Sequence, residues 1–152
     1  MSLKEKLQSD LTDAIRSRDE LRSSTIRMVL TAIKNEEVSG KEARELSDSE
    51  IITVLSREAK KRREATEAFE QAGAKDRAET EKAEGGVIAE YLPKQLSEAE
   101  IKTLISAALQ ETGANTPAQM GLVMKALQPK IAGKADGGMV SSLVKAALSG
   151  GN

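Results

Sequence analysis

The sequence predicts an all-α protein, with an N-terminal bundle of three to four longer helices followed by a small three-helix C-terminal domain. Apolar residues recur at helical spacing along most of the chain, and no segment alternates polar and apolar residues as a half-buried strand does. Aromatic side chains are nearly absent, so aliphatic side chains must build the cores. Helix starts are marked by a Ser or Thr followed three residues later by Glu or Gln, the capping-box pattern. These pairs are Ser2/Glu5, Ser47/Glu50, Ser97/Glu100 and Thr116/Gln119.

The N-terminal domain is expected to span residues 1–92. Its first helix is predicted over about Leu3–Ser17. The second helix begins after Asp19 and runs to about Val38, and the third covers about Asp48–Ala72. The second helix is apolar on more than one side, which is typical of the central helix of a bundle.

A charged segment and two adjacent glycines follow the third helix. The segment Lys75–Glu84 is almost wholly charged, which predicts an exposed helix. Gly85 and Gly86 each cost a helix about 0.8–1.0 kcal/mol relative to alanine, so the continuity of that helix stays an open question. An apolar face resumes before Leu92, and Pro93 ends the helix. We place the domain boundary between these last two residues.

The C-terminal domain is expected to span residues 93–152 and to hold three short helices. They are predicted over Glu98–Glu111, Pro117–Leu127 and about Gly137–Leu148. A connector between the last two helices, predicted over Gln128–Gly138, holds two lysines and three glycines. Glycine lets a backbone approach a ligand closely, and lysines beside the free amides of a helix start favour anions. The same composition also suits a plain tight corner capped by Asp136, and both interpretations stay open.

Composition excludes several kinds of site. The chain has no cysteine and no histidine, which rules out disulfides, thiolate nucleophiles, imidazole acid–base catalysis and zinc sites built from those ligands. It also lacks a phosphate-binding G-x-x-x-x-G-K-[ST] loop, so we expect no cofactor and no metal. The first residues are charged and amphipathic rather than apolar, and no run approaches the length of a membrane span. We therefore expect a cytoplasmic protein without membrane contact.

Charge is distributed unevenly along the chain, although the formal net charge is only −1. Residues 1–93 hold 17 Lys and Arg against 20 Asp and Glu, whereas residues 94–152 hold six against four. Beyond Glu111 the only acidic residue is Asp136, among four lysines. This excess is well below that of a typical nucleic-acid-binding domain, and we expect no DNA partner.

Further basic residues lie in the N-terminal domain. Five fall between Arg57 and Arg63, interleaved with glutamates. Such a run usually marks a solvated helix face with internal ion pairs, and no aromatic residue is near for base stacking. Arg27 and Lys34 share the polar face of the second helix and would add to a basic surface if the third helix packs alongside.

Several other polar residues are interpreted as structural or solvent-facing. Arg62 falls on the apolar seam of the third helix, so we expect its charged head to reach into solvent. Glu36 and Glu37 are expected to be ordinary surface acids. Ser141 and Lys145 are neighbours one turn apart on an amphipathic helix. Nothing suggests an oxyanion hole beside them, so we do not interpret them as a catalytic pair.

Four segments carry a resemblance to a known family. They are IRMVLTAIKNEEV at Ile26–Val38, REAKKRREATEAFEQAGAKD at Arg57–Asp76, EYLPKQLSEAEI at Glu90–Ile101 and MGLVMKALQPKIAGKADGGMVSSLVKAAL at Met120–Leu148. In this order and spacing they resemble the GatB/YqeY family. The C-terminal region of that family is shared by the tail of the B subunit of tRNA-dependent amidotransferases and by small stand-alone YqeY-like proteins. The resemblance covers nearly the whole chain, which fits the stand-alone form.

The resemblance implies a non-catalytic module that contacts tRNA. The family often carries the label of a carbon–nitrogen ligase with glutamine as amido donor, but this chain shows no nucleophile for that reaction, and we name no catalytic residue. An amidotransferase or an aminoacyl-tRNA synthetase is the protein partner that such a role implies. The alternative function is that of a protein-interaction adaptor for a translation-related partner. The candidate RNA-binding residues are Lys125, Lys130, Gly133, Lys134, Asp136, Gly137, Arg27, Lys34, Lys60 and Arg63.

Overall fold

The computed structural model describes residues 1–150, which form seven α-helices and one short 3₁₀ turn, with no β-strand in this range. The all-α prediction is confirmed. The helices are α1 (Leu3–Arg16), α2 (Glu20–Glu37), α3 (Asp48–Gln71), α4 (Lys75–Ala89), α5 (Glu98–Thr112), α6 (Met120–Ile131) and α7 (Gly137–Leu148), with the 3₁₀ turn at Pro117–Gln119.

The chain divides into two compact units, Met1–Leu92 and Pro93–Asn152. The first holds α1 to α4, and the second holds α5 to α7. Each unit has its own cluster of buried aliphatic side chains. Among residues 1–150, no helix is both long enough and apolar enough to cross a membrane.

In the first unit α3 packs against all three other helices, and so does α2, the helix that the sequence predicted to be central. Ile26, Val29 and Ile33 lie on its inner side with almost no exposed surface. Burying an aliphatic side chain of this size stabilises a fold by about 1.5–3 kcal/mol, so these three residues account for much of the cohesion of the bundle. Asp19 caps the helix by accepting a hydrogen bond from the backbone of Arg22, at 3.0 Å.

Glu37, expected on the surface, is buried with 4% of its surface exposed. The loop after α2 folds back over the end of the helix, and the backbone N–H of Arg44 donates to the carbonyl of Glu37 at 3.0 Å. The carboxylate is compensated by the ammonium of Lys4 on α1, which lies 2.9 Å away. This hydrogen bond holds the pKa of Glu37 below its ordinary value.

Arg62 also differs from expectation, because its charged head points into the structure instead of into solvent. Its side chain is 20% exposed, and its guanidinium lies 3.1 Å from Glu81 and 3.2 Å from Glu84, both on α4. The prediction that this charged head reaches into solvent was wrong, because α4 lies against α3 and places two carboxylates within reach of the guanidinium. A guanidinium can satisfy two carboxylates at once, since its donors form a planar fork.

Helix α4 runs without a break through its two glycines. A Cβ added at Gly85 would lie 3.5 Å from the Cβ of Arg62, and one added at Gly86 would meet nothing within 4 Å. Val87 and Ile88 are buried directly after the glycines. The cost of the glycines is therefore offset by the packing of the next turn and by the ion pairs to Arg62.

The C-terminal end of the first unit is tied to α1 through Tyr91. Its hydroxyl donates a hydrogen bond to the carboxylate of Asp10, and Lys6 lies over its ring at 5.7 Å. Burial, followed by this hydrogen bond, raises the pKa of Tyr91, and the same bond lowers the pKa of Asp10. At neutral pH the pair is a neutral phenol bonded to a carboxylate.

The second unit closes its own core from α5, α6 and α7. Its buried apolar residues are Ile101, Ile105, Ala108, Ala114, Val123, Leu127, Ile131, Val140, Val144 and Leu148. The predicted start of α5 is correct, and Ser97 accepts a hydrogen bond from the backbone of Glu100 at 3.1 Å. Thr116 instead opens the 3₁₀ turn, and α6 starts only at Met120.

The predicted connector Gln128–Gly138 was too long. Helix α6 continues to Ile131, so Pro129 and Lys130 are helical and the connector comprises only residues 132–136. Proline inside a helix removes one hydrogen bond and crowds the preceding turn, at a cost of about 3 kcal/mol. Here the missing bond lies in the last turn, and the burial of Ile131 (2% exposed) offsets much of that cost.

Candidate nucleic-acid interface

The connector reverses the chain around one glycine. Gly133 has a φ of 73°, in the left-handed region where other residues are strained. The backbone N–H groups of Lys134 and Ala135 both donate to the carbonyl of Ile131, at 2.8 and 3.1 Å. Ala132, with φ −55° and ψ 120°, and Gly133 are the central residues of a type II turn, which favours glycine at its second central position. The turn itself therefore has a complete structural explanation.

Asp136 caps α7, as the sequence predicts. Its carboxylate accepts a hydrogen bond from the backbone of Gly138 at 3.1 Å. The hydroxyls of Ser141 and Ser142 donate to the carbonyl of Gly138, at 3.0 and 3.1 Å. Because Ser141 is bonded to its own helix backbone, the geometry gives no support to a serine–lysine catalytic pair.

The first residues of the second unit run against the connector, a contact that the sequence analysis did not predict. The backbone N–H of Leu96 donates to the carbonyl of Lys134 at 2.8 Å. The side-chain amide of Gln95 donates to the carbonyl of Gly133, also at 2.8 Å. The partners are 38 residues apart in each case, so no local pattern could have revealed this contact. We call residues 93–96 the strap.

The lysines of α6, the connector and α7 are exposed, whereas Lys102 on α5 pairs with Glu98 at 3.4 Å. Lys130 lies 3.9 Å from Glu111, a long and weak pair at the surface. Lys125, Lys134 and Lys145 have no carboxylate within 4.0 Å in the described part of the second unit, residues 93–150. Their charges are thus available to an anion.

The candidate residues of this unit are only partly brought together. Lys130, Gly133, Lys134, Asp136 and Gly137 lie within eight residues at the corner between α6 and α7. Lys125 is different, because five residues along a helix correspond to a rotation of about 140° from Lys130. By the same helix geometry, Lys125 lies on the face of α6 that continues into the first residue of the connector. Lys130 instead lies on the flank next to α5.

The basic residues of the first unit are mostly engaged with acids. Arg57 pairs with Glu36 at 3.2 Å, and Lys61 pairs with Glu58 at 3.3 Å. Arg57 and Arg62 have their closest acids on α2 and α4, whereas Lys61 pairs within α3. The run is thus engaged with acids, but mainly across helices and not within its own helix as predicted.

The four first-unit candidates differ in their setting. Arg27 and Lys34 are exposed on one face of α2, and Arg63 is exposed on α3. Lys60 is half-buried and has a partner of its own. Arg27, Lys34 and Arg63 form no ion pair within 4.0 Å in the described first unit, so by this criterion only Lys60 is a weaker candidate. The connector lysines differ from them in lying in a unit with few acidic residues.

Comparison with known proteins gives a family match over nearly the whole chain. The family described as Yqey-like protein matches residues 4–148. A relative from Lachancea thermotolerans is 31% identical over 147 residues, which cover 93% of this chain and 76% of the relative. A relative from Clavispora lusitaniae is 30% identical over 129 residues, covering 83% and 74%. Both relatives are named altered inheritance of mitochondria protein 41, mitochondrial.

Proposed function

Because this chain belongs to the YqeY-like protein family, we propose that it is a non-catalytic module whose second unit contacts the phosphates of tRNA. The contact is made by the lysines around the connector, chiefly Lys125, Lys130 and Lys134. This proposal includes the kinship of the second unit with the tail of the amidotransferase B subunit. It places the protein beside tRNA-dependent amidation, next to an amidotransferase or an aminoacyl-tRNA synthetase.

The observation that carries the proposal is the excess of unpaired lysines in this unit. Lys125 and Lys134 have no carboxylate within 4.0 Å in the described part of the second unit, and Lys130 has only a long contact with Glu111. A lysine already paired must lose its partner before it binds a phosphate, whereas an unpaired one only exchanges counterions. The basic run of α3, with its close ion pairs, lacks this property.

The absence of a catalytic role rests on chemistry. Amide transfer from glutamine needs a nucleophile, and the chain has neither cysteine nor histidine, while Ser141 is bonded to its helix backbone. The family label of a carbon–nitrogen ligase would then describe the reaction that the protein assists. The sequence predicts a cytoplasmic protein, and the two relatives are named mitochondrial. A tRNA-contacting role suits either compartment, because both contain tRNA.

A second function, a protein-interaction adaptor, is favoured by one observation. Leu122 is 49% exposed and Met139 is 39% exposed, both in the second unit. A protein partner that covers them would bind through apolar contact. Such binding tolerates salt, whereas phosphate binding does not.

The test is a salt series of tRNA binding with matched triple variants. Changing Lys125, Lys130 and Lys134 to alanine should flatten the slope of log affinity against log salt by about two units, because each phosphate contact contributes about 0.7–0.9. The loss should be similar for every tRNA, since phosphate contacts carry no sequence information. The matched control removes the same charge from Arg57, Lys60 and Lys61, and its slope should change less.

Two outcomes would contradict the proposal. If the connector variant binds tRNA as the parent does at low salt, these lysines do not contact RNA. If the parent binds no tRNA but retains a translation protein at high salt, the adaptor function takes its place. Helix content by circular dichroism should be the same in all variants, since the substituted side chains are exposed except for the half-buried Lys60.

A further inference from the structure

We propose that Gln95 is a positioning residue that holds Lys134 in the direction required for phosphate contact. This inference rests on the proposed function of the second unit. It adds a residue of the strap that lies outside the lysine cluster and that carries no charge.

The side-chain amide of Gln95 uses both of its N–H groups on backbone carbonyls. One donates to Pro93 within the strap, and the other donates to Gly133 in the connector, each at 2.8 Å. Both partners are acceptors, so the nitrogen of the amide, and not its oxygen, must face them. Next in the chain, the backbone N–H of Leu96 donates a hydrogen bond to the carbonyl of Lys134.

As a result, both peptide groups that flank Lys134 are bonded at both ends. In the peptide group before Lys134, the carbonyl accepts a hydrogen bond from the side chain of Gln95, and the N–H donates to the carbonyl of Ile131, at 2.8 Å each. In the peptide group after Lys134, the carbonyl accepts a hydrogen bond from the backbone N–H of Leu96 at 2.8 Å, and the N–H donates to the carbonyl of Ile131 at 3.1 Å. Two fixed peptide planes fix the Cα between them. The direction in which the Lys134 side chain leaves the backbone is thereby set, although its ammonium remains exposed.

The strap is suited to this role because it is short and restrained at both ends. Pro93 has a fixed φ, and Ser97 caps α5 immediately after the strap. Leu96 packs against the core of the unit. Gln95 itself is exposed, so its two hydrogen bonds, and not burial, keep its side chain in place.

A neutral amide also serves a site for anions better than a charged group would. The two carbonyls that it covers would otherwise present partial negative charge beside Lys134. Glutamate in this place has the same shape but no donor at neutral pH. Gln95→Glu therefore removes both bonds while keeping the size of the side chain.

The experiment uses the full chain with Gln95→Glu and Gln95→Ala, and it measures two quantities. The first is the hydrogen exchange of the Lys134 and Ala135 amides by NMR, and the second is the affinity for unfractionated tRNA. Loss of the hydrogen bond between Gln95 and Gly133 should speed the exchange of both amides by about fivefold to tenfold, as expected for one lost hydrogen bond. The affinity should fall by a similar factor in Gln95→Ala and further in Gln95→Glu, because the added charge also repels phosphate.

The matched control is Gln110→Glu, which adds the same charge at an exposed position on α5 of the same unit. Its amide exchange in the connector should equal that of the parent, and its tRNA affinity should fall less than that of Gln95→Glu. Because Gln95→Ala adds no charge, a loss of affinity shared by both Gln95 variants cannot come from repulsion alone.

The outcomes separate this inference from the proposed function. If connector exchange is the same as in the parent, Gln95 does not hold the connector and the inference is wrong. If exchange accelerates but tRNA affinity equals that of the Gln110→Glu control, Gln95 restrains the connector without positioning Lys134. The proposal that the lysines contact tRNA then stands without this inference. If the parent binds no tRNA, the proposed function fails, and the positioning role fails with it.

Discussion

Glu37 shows how strongly one charged residue can depend on a distant partner. Its carboxylate is nearly inaccessible and lies 2.9 Å from the ammonium of Lys4. Lys4 is 33 residues away in the chain. A buried carboxylate without such partners would favour its neutral form, so the pair decides the charge state.

The pH dependence of stability should report on this pair. Because the pKa of Glu37 is lowered in the folded protein, its contribution is present above the ordinary value of about 4.5 and is lost as the pH falls through the folded value. We expect Glu37→Gln to reduce the free energy of unfolding at about pH 7, and the difference from the parent to shrink below about pH 4.5. Urea unfolding at several pH values measures both.

The adjacent glutamate supplies the control for this pH dependence. Glu36 pairs with Arg57 at 3.2 Å, but its side chain is 39% exposed. Surface pairs contribute little, so Glu36→Gln should change stability by less than about 1 kcal/mol. Equal effects of the two substitutions would contradict the role assigned to the Lys4–Glu37 pair.

At the scale of elements, α4 is the least independently stable helix of the first unit. Its N-cap residue, Ala74, makes no side-chain cap hydrogen bond, unlike those of α1, α2 and α3, and its interior holds Gly85 and Gly86. Arg62 of α3 supplies the ion pairs that hold its middle part. The helix is therefore specified by its neighbour more than by its own sequence.

Gly86→Ala should stabilise the protein by about 0.5–1 kcal/mol, seen as a higher urea midpoint. Alanine is the better helix former, and the added methyl group meets nothing within 4 Å. Gly73→Ala serves as the opposite control. Gly73 has a φ of 76°, and a side chain in the left-handed region costs about 1–2 kcal/mol. A destabilised Gly86→Ala variant would mean that α4 is not helical at this point.

At the scale of the whole molecule, the two units have separate apolar cores. All ten buried residues of the second core come from Ile101–Leu148, and the bonds between strap and connector also lie within this unit. Every residue of this core therefore belongs to the second unit itself. A core formed by fewer than sixty residues is nevertheless small.

We predict that residues 93–152, produced alone, fold into a helical unit with a cooperative but low-temperature thermal transition. Circular dichroism measures both properties. Leu127→Ala should abolish the transition, because removing a fully buried leucine side chain costs about 2–5 kcal/mol, comparable to the stability expected for so small a core. A fragment without a cooperative transition would show that the unit depends on the rest of the chain.

The sequence by itself determined the fold class and most helix starts, because these depend on local chemistry. Complete capping boxes at Ser2 and Ser47 and the caps at Asp19, Ser97 and Asp136 involve residues within three positions of each other. The glycines that end α3 and α5 follow the same logic, since positive φ is a property of one residue. Short-range hydrogen bonds can be predicted from short-range patterns.

Only the tertiary structure decided where α6 ends, why Glu37 is buried, where Arg62 points and what Gln95 holds. Each depends on a partner far away in the chain: the core around Ile131, the ammonium of Lys4, the carboxylates of α4 and the carbonyl of Gly133. For the candidate site, the sequence supplied the lysines. Which of them lack a carboxylate partner depended on where the few acids of the second unit are placed, because a charge is compensated by whatever folds next to it.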